Sequence, residues 1–157
     1  MMPLPLIVRL IRKWMRKRRY LNSTLYAIDH MSGIEFEEFL KAHFEKQGYT
    51  VKLTKKSNDF GIDLICRRKT DSFVVQAKRY KGKVGISAVQ QVIGGMKFYD
   101  CDAGIVITNN FFTKNAWELA KKSGVRLWDR NALEQNFQIA PKKKKEYRSQ
   151  NNKTTSR

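Results

Sequence analysis

Asp63 stands inside an apolar run, flanked by Ile62 and Leu64, and Gln76 and Lys78 follow two residues apart in a second apolar run. A carboxylate within so apolar a strand is unfavourable unless something pairs or coordinates it. Residues two apart in a strand point to one side of the sheet, so Gln76 and Lys78 share a side and Val75 and Ala77 take the other. A carboxylate, an amide oxygen and an ammonium on one hairpin form a set able to hold a divalent cation beside a reacting phosphate. Hard cations take oxygen ligands, and Mg²⁺ keeps several waters while using one or two carboxylates. The lysine can position or help deprotonate the attacking water and steady charge developing on phosphorus. Plainer roles compete with each of these. Asp63 can bridge to a neighbouring lysine, Lys78 can snorkel from an edge strand beside Arg79 and Lys81, and Gln76 can be a satisfied polar group in the sheet.

The elements that must position these side chains are well marked. Ser32 with Glu35 makes a capping box, and Met31 with Phe36 fits a hydrophobic staple. Phe36, Phe39, Leu40, His43 and Phe44 then form an apolar stripe that ends near Gly48. Residues 49–54 read as a short strand. After a turn-rich stretch, 62–68 reads as a strand with Ile62, Leu64 and Cys66 alternating against Asp63, Ile65 and Arg67. Residues 72–80 make its hairpin partner. A helix from about Ser87 carries Val89, Val92, Ile93 and Met96 at helical spacing. The run 103–109 is continuous enough for a buried strand. Thr113 caps a further helix that Gly124 stops, 125–128 is a last strand, and Asp129 caps a short closing helix. The order α-β-β-β-α-β-α-β predicts an α/β fold with helices on both faces of a sheet. Within it, Glu35 is explained by the capping box, Glu38 falls on the solvent face, and Asp59 is a turn-former. Gln90 and Gln91 can touch DNA or the site from the following helix but read by default as a solvated helix start, and His30 and His43 read as surface or packing residues.

Charge adds a partner class. The 157 residues carry 32 Lys plus Arg against 14 Asp plus Glu, for a net +18, with a hydrophobic fraction of 41%. That length and fraction support one folded domain, and no apolar run approaches a membrane span. Cys66 and Cys101, far apart and in no metal-type spacing, exclude a disulfide scaffold or zinc module and suit a reducing, cytoplasmic compartment. Residues 1–30 form a basic amphipathic extension in which Ile7, Leu10, Ile11 and Trp14 oppose Arg9, Arg12, Lys13, Arg16 and Lys17. It can cover part of the core, grip phosphates or lie on a membrane. Residues 31–140 form the folded domain, and 141–157 read as a disordered basic tail. The excess charge points to a polyanion, nucleic acid first.

Four segments together resemble the Mrr-type restriction endonuclease catalytic domain of the PD-(D/E)xK superfamily: GIEFEEFL at 33–40, DFGIDL at 59–64, VVQAKRY at 74–80 and VQQVIGG at 89–95. The resemblance covers roughly residues 31–137 and implies a restriction-endonuclease-like mixed β-sheet flanked by helices. By position, Asp63 matches the metal-binding aspartate and Lys78 the catalytic lysine. Gln76 stands where many members have Glu, and the Mrr branch itself commonly has Gln. Glu37 matches the first-helix glutamate of related nucleases and resolvases. Ile62 replaces the superfamily's proline. The implied cation is Mg²⁺, with Mn²⁺ as substitute, held by Asp63, Glu37 and the Ala77 carbonyl. The implied activity is Mg-dependent endonucleolytic hydrolysis of DNA phosphodiesters, with a homodimer as one way to cut both strands. Two alternatives use the same fold: a structure-directed or junction-resolvase-like nuclease, and a catalytically impaired module that only binds DNA. A third, of another class, is a membrane-surface protein acting through the N-terminal helix.

Overall fold

The computed structural model describes residues 1–54 and 60–140, so the Asp59 turn and the basic stretch 141–157 lie outside the described residues. In chain order the elements are α1 (Leu4–Leu21), α2 (Leu25–Asp29), α3 (Gly33–Lys46), β1 (Thr50–Leu53), β2 (Leu64–Arg68), β3 (Asp71–Lys78), α4 (Ile86–Phe98), β4 (Ala103–Thr108), α5 (Lys114–Ser123), β5 (Arg126–Trp128) and α6 (Arg130–Phe137). Local chemistry sets their starts. The Ser32 hydroxyl accepts from the Glu35 N–H at 3.2 Å while the Glu35 carboxylate accepts from the Ser32 N–H at 2.9 Å, satisfying two donors a helix start leaves orphaned. Thr113 and Asp129 cap α5 and α6 in the same way through the Ala116 and Ala132 N–H groups. Helix α2 has no counterpart in the sequence pattern: five residues capped by Thr24 are too few to show a period.

The five strands form one sheet in the order β1-β2-β3-β4-β5. Strands β1, β2 and β3 pair antiparallel, whereas β3, β4 and β5 pair parallel through α4 and α5. This is the restriction-endonuclease-like mixed α/β arrangement. One face carries Leu64, Cys66, Phe73, Val75 and Ile107 under α3 and α6, where Phe44 meets Phe73 and Phe137 edge-on with centroids 5.2 and 5.1 Å apart. The other face carries Ile62, Ile65, Val74 and Val106 under α4 and α5. Gly95 of α4 lets that helix sit directly on Ile62, because a Cβ there would overlap the isoleucine side chain. Both thiols are buried and free; desolvation, with a smaller push from Cys101, drives the Cys66 thiol up to about 12, so it packs as an inert apolar group.

The strand that carries Asp63 departs from simple alternation. Ile62 packs with Ile65 on the α4 face, while Leu64 and Cys66 pack on the α3 face, so Ile62 does not share a side with Leu64. The cause is a bulge. Leu64 is the register partner of Val75, yet the Asp63 N–H also donates to the Val75 carbonyl at 2.9 Å, so two residues stand against one. Such an insertion breaks the period of two and re-aims a side chain. Strand β2 therefore begins at Leu64, with Asp63 on its threshold.

Candidate active site

At the bulge, Asp63 is held from both sides by the backbone: its carbonyl accepts from Thr54 N–H at 3.0 Å and its N–H is engaged by Val75. The Thr54 hydroxyl fixes the preceding residue by donating to the Ile62 carbonyl. What remains to place is the carboxylate, and Oδ2 accepts from the Ala77 N–H at 2.7 Å. The side chain thus stands in for a ladder acceptor, a charge-assisted bond that positions it at the residue between Gln76 and Lys78. The hairpin brings Asp63, Gln76, Ala77 and Lys78 to one end of β3.

Gln76 is 1% exposed and belongs to the α4 side of the sheet. Its Nε2 donates to Gln91 Oε1 on α4, while its own Oε1 is buried without a hydrogen-bond partner. Gln91 thus contacts Gln76 across 15 positions, which favours the reading in which the following helix reaches this end of the hairpin over the solvated one. Gln90 stays exposed. Gly61 closes over this pair. With φ +73°, an added Cβ would lie 2.6 Å from Gln76 Nε2 and 2.7 Å from Gln91 Oε1. We expect Gly61→Ala to cost about 1 kcal/mol through its left-handed backbone alone. It should also push the two amides apart and lower any cleavage rate by about tenfold or more, because small displacements of positioned groups are costly in catalysis. Parallel thermal melts and plasmid-cleavage rates check this; a rate equal to the parent's would show that the amide pair is irrelevant to the site.

Lys78 ends β3, half-buried, with Nζ 5.6 Å from the centroid of the Tyr80 ring, near enough for a cation–π contact. Glu37 is half-buried on α3, at the edge of the stripe that packs on the opposite face from Gln76. It stands in a different layer from Gln76, and no secondary-structure register ties it to the hairpin.

Beyond the five residues read from sequence, the carboxyl ends of β3 and β4 are braced by a network that sequence reasoning missed. Arg130 grips Asp29 with both terminal guanidinium nitrogens, at 2.7 and 2.9 Å, and also donates to the Asn109 carbonyl at 2.9 Å. Asn109 Nδ2 donates to Asp29 Oδ1 at 3.0 Å, and Asn109 Oδ1 accepts from the Tyr80 N–H at 2.8 Å. Burial alone would raise the Asp29 carboxyl, but the bonds from Arg130 and Asn109 outweigh it and hold it below the usual carboxylate range. Through Tyr80, the brace fixes the chain two residues beyond Lys78.

The donor set fits a hard divalent cation. Among the described residues no group of three or more His, Cys, Asp or Glu side chains gathers as a metal cluster. Mg²⁺, however, needs only one or two carboxylates, completed by neutral oxygens and water. The buried Oε1 of Gln76, left without a donor beside the residue that Asp63 binds, is the kind of oxygen such a shell uses.

The family model Mrr_cat, described as a restriction endonuclease, matches residues 28–137. A curated relative, the uncharacterized protein y4cE of Sinorhizobium fredii (strain NBRC 101917 / NGR234), is 32% identical over 98 residues, covering 59% of this chain; the chain spans only 25% of that protein's length. Among solved structures, the DNA modification-dependent restriction endonuclease AspBHI aligns with a TM-score of 0.56 at 17% identity over 78% of this chain and 34% of its own. The protein of unknown function AF1548 aligns with a TM-score of 0.51 at 15% identity over 59% of this chain and 55% of its own. Both likenesses concern the fold.

Proposed function

Since the chain belongs to the Mrr-type restriction endonuclease family, whose model spans residues 28–137, we propose that it is a divalent-metal-dependent DNA endonuclease that hydrolyses phosphodiester bonds. The observation that carries the reading is the Asp63 carboxylate pinned at 2.7 Å on the Ala77 N–H, between Gln76 and Lys78. In this reading Asp63, Glu37 and the Ala77 carbonyl would hold Mg²⁺, with Gln76 Oε1 as a neutral donor. A cation bound there neutralises phosphate charge and lowers the pKa of water. Lys78 donates to a non-bridging phosphate oxygen and orients the water for in-line attack, stabilising charge that grows on the phosphorus. The attacking water gives up a proton to solvent as its P–O bond forms, the P–O bond to the 3′-oxygen breaks, and solvent protonates the leaving oxygen. The Tyr80 ring, under the ammonium, keeps Lys78 at the strand end, and the Arg130–Asp29–Asn109 brace fixes the backbone behind it.

Supercoiled plasmid should be nicked or linearised with Mg²⁺ or Mn²⁺ and left intact with EDTA. Linear, branched and methylated substrates in the same assay separate a restriction-type from a structure-directed preference. A second reading is favoured by one observation: the position that many relatives fill with an acid is here a neutral amide tied to Gln91. DNA retention without any metal-stimulated cleavage, together with no heat of Mg²⁺ binding by calorimetry, would establish that the chain only binds.

A further inference from the structure

Helix α1 is attached in the reverse of the usual sense. An amphipathic helix ordinarily turns its apolar face to the core and its charges to water. In α1, Leu4, Ile7, Val8, Ile11, Trp14 and Met15 recur at three- and four-residue steps and make one stripe, with Arg9, Arg12, Lys13, Arg16 and Arg19 on the far side. It is the charged side that docks. Lys17 Nζ meets Glu45 at 2.7 Å, and Arg16 and Arg19 reach Glu38 and Glu35 at 3.7 and 3.8 Å on α3. Tyr20, near the C-terminal end, is the one residue of the helix buried in the core. The stripe faces outward, with Leu4 73%, Ile11 51% and Trp14 60% exposed. Of the roles its amphipathic pattern allows, covering the core is therefore met only at the last turn.

We propose that this stripe docks on an anionic lipid surface, α1 lying in the membrane interface with the nuclease-fold domain held beneath it. Among the described residues no helix is long and apolar enough to cross a membrane, and seven cations in Leu4–Leu21 suit the interfacial mode instead. No acidic residue occurs in that helix, so its field complements a phosphatidylserine-type surface. Trp14 sits within the stripe, where an indole suits the headgroup level. The Arg18 guanidinium, 5.4 Å from the Trp14 ring centroid, can reach a lipid phosphate while its stem stays among apolar groups. DNA is the poorer occupant, because a duplex would leave the exposed apolar stripe in water, whereas a lipid interface buries it beside the cations. A second copy is poorer too, since two such helices would meet with all their charges of one sign.

The proposal does not rest on the nuclease reading, and its test reads vesicle binding. The full chain is floated with phosphatidylcholine vesicles and with mixed phosphatidylcholine–phosphatidylserine vesicles, beside the double variant Ile11→Ser/Trp14→Ser. Both side chains are exposed, so the melting temperature should not change. Point changes are preferred to deletion because Tyr20 and Ile28 belong to the core. Expected are at least about tenfold more bound protein on the anionic vesicles, weakening as salt rises, and a similar loss for the double variant. Equal binding to neutral vesicles, or binding untouched by the double variant, overturns the proposal. So does a variant that binds no vesicles less but converts a dimer to a monomer in sedimentation velocity, or that loses DNA retention instead.

Discussion

Asp63→Asn should abolish metal-dependent cleavage while leaving the fold intact. The asparagine carbonyl can still accept from the Ala77 N–H, so the contact that positions the side chain at 2.7 Å survives. What disappears is the negative charge. A cation contributes several kcal/mol of transition-state stabilisation, and each ~1.4 kcal/mol is tenfold, so the expected loss is roughly a thousandfold. Lys78→Met should give a loss of comparable order by removing the positioned ammonium. DNA retention by Asp63→Asn should be equal to or tighter than the parent's, since a carboxylate facing phosphates has gone. Single-turnover cleavage of a labelled duplex with saturating Mg²⁺, beside unchanged melting curves, measures this. Rates that stay within twofold of the parent's for both variants would sink the proposed mechanism.

The second large effect concerns stability and pH. His43 is 4% exposed, sandwiched between Phe39 and Phe137 with ring centroids 4.5 Å from each, and its Nε2 has no partner. Burial lowers its pKa from 6.5 to about 4; the Tyr20 carbonyl pushes back and Lys46 adds a small further lowering. The native state therefore keeps the ring neutral where the unfolded chain takes a proton. Above the unfolded value both states are neutral and the full stability is present. As pH falls from about 6.5 toward about 4, the unfolded state gains the proton first and stability drops by about 3 kcal/mol in total. Urea midpoints between about pH 7.5 and about pH 4.5 should show this slope. In His43→Phe it should flatten by that amount, with no loss at neutral pH, because the substitution removes an unsatisfied buried nitrogen. An identical slope in parent and variant would assign the acid sensitivity to other groups, such as Asp29.

Much of the fold is written in short-range signals. The Ser32–Glu35 box, the Thr113 and Asp129 caps and Gly124 in the left-handed region at φ +75° all sit where their residue types require. The hairpin of β2 and β3 follows from composition and turn position. The site is less legible. Alternation predicts a regular strand from residue 62, and only the paired backbone reveals the bulge that re-aims Asp63. The Gln76–Gln91 bond, the Gly61 cover and the Arg130–Asp29 grip join residues far apart in sequence, where no local period reports on them. For α1 the residue pattern separates the two faces correctly. Which face docks depends on the acids of α3, on another helix altogether.

The Arg130–Asp29 pair also bears on how the chain reaches its fold and how small a piece of it can do so. It joins residues 101 positions apart, from a short N-terminal helix to the last helix of the domain. Closing a loop of that size is an entropic cost met before the contact is rewarded, which places the bond late in folding and makes it chiefly a brake on unfolding. It likewise bears on the minimal folding unit. A fragment starting at residue 31 would lack Asp29 and Ile28, leaving the half-buried Arg130 without its carboxylate and the core without a fully buried isoleucine. We expect a stable fragment to need residues back at least to α2, with the polar brace behind Lys78 also acting as the latch that closes the domain on itself.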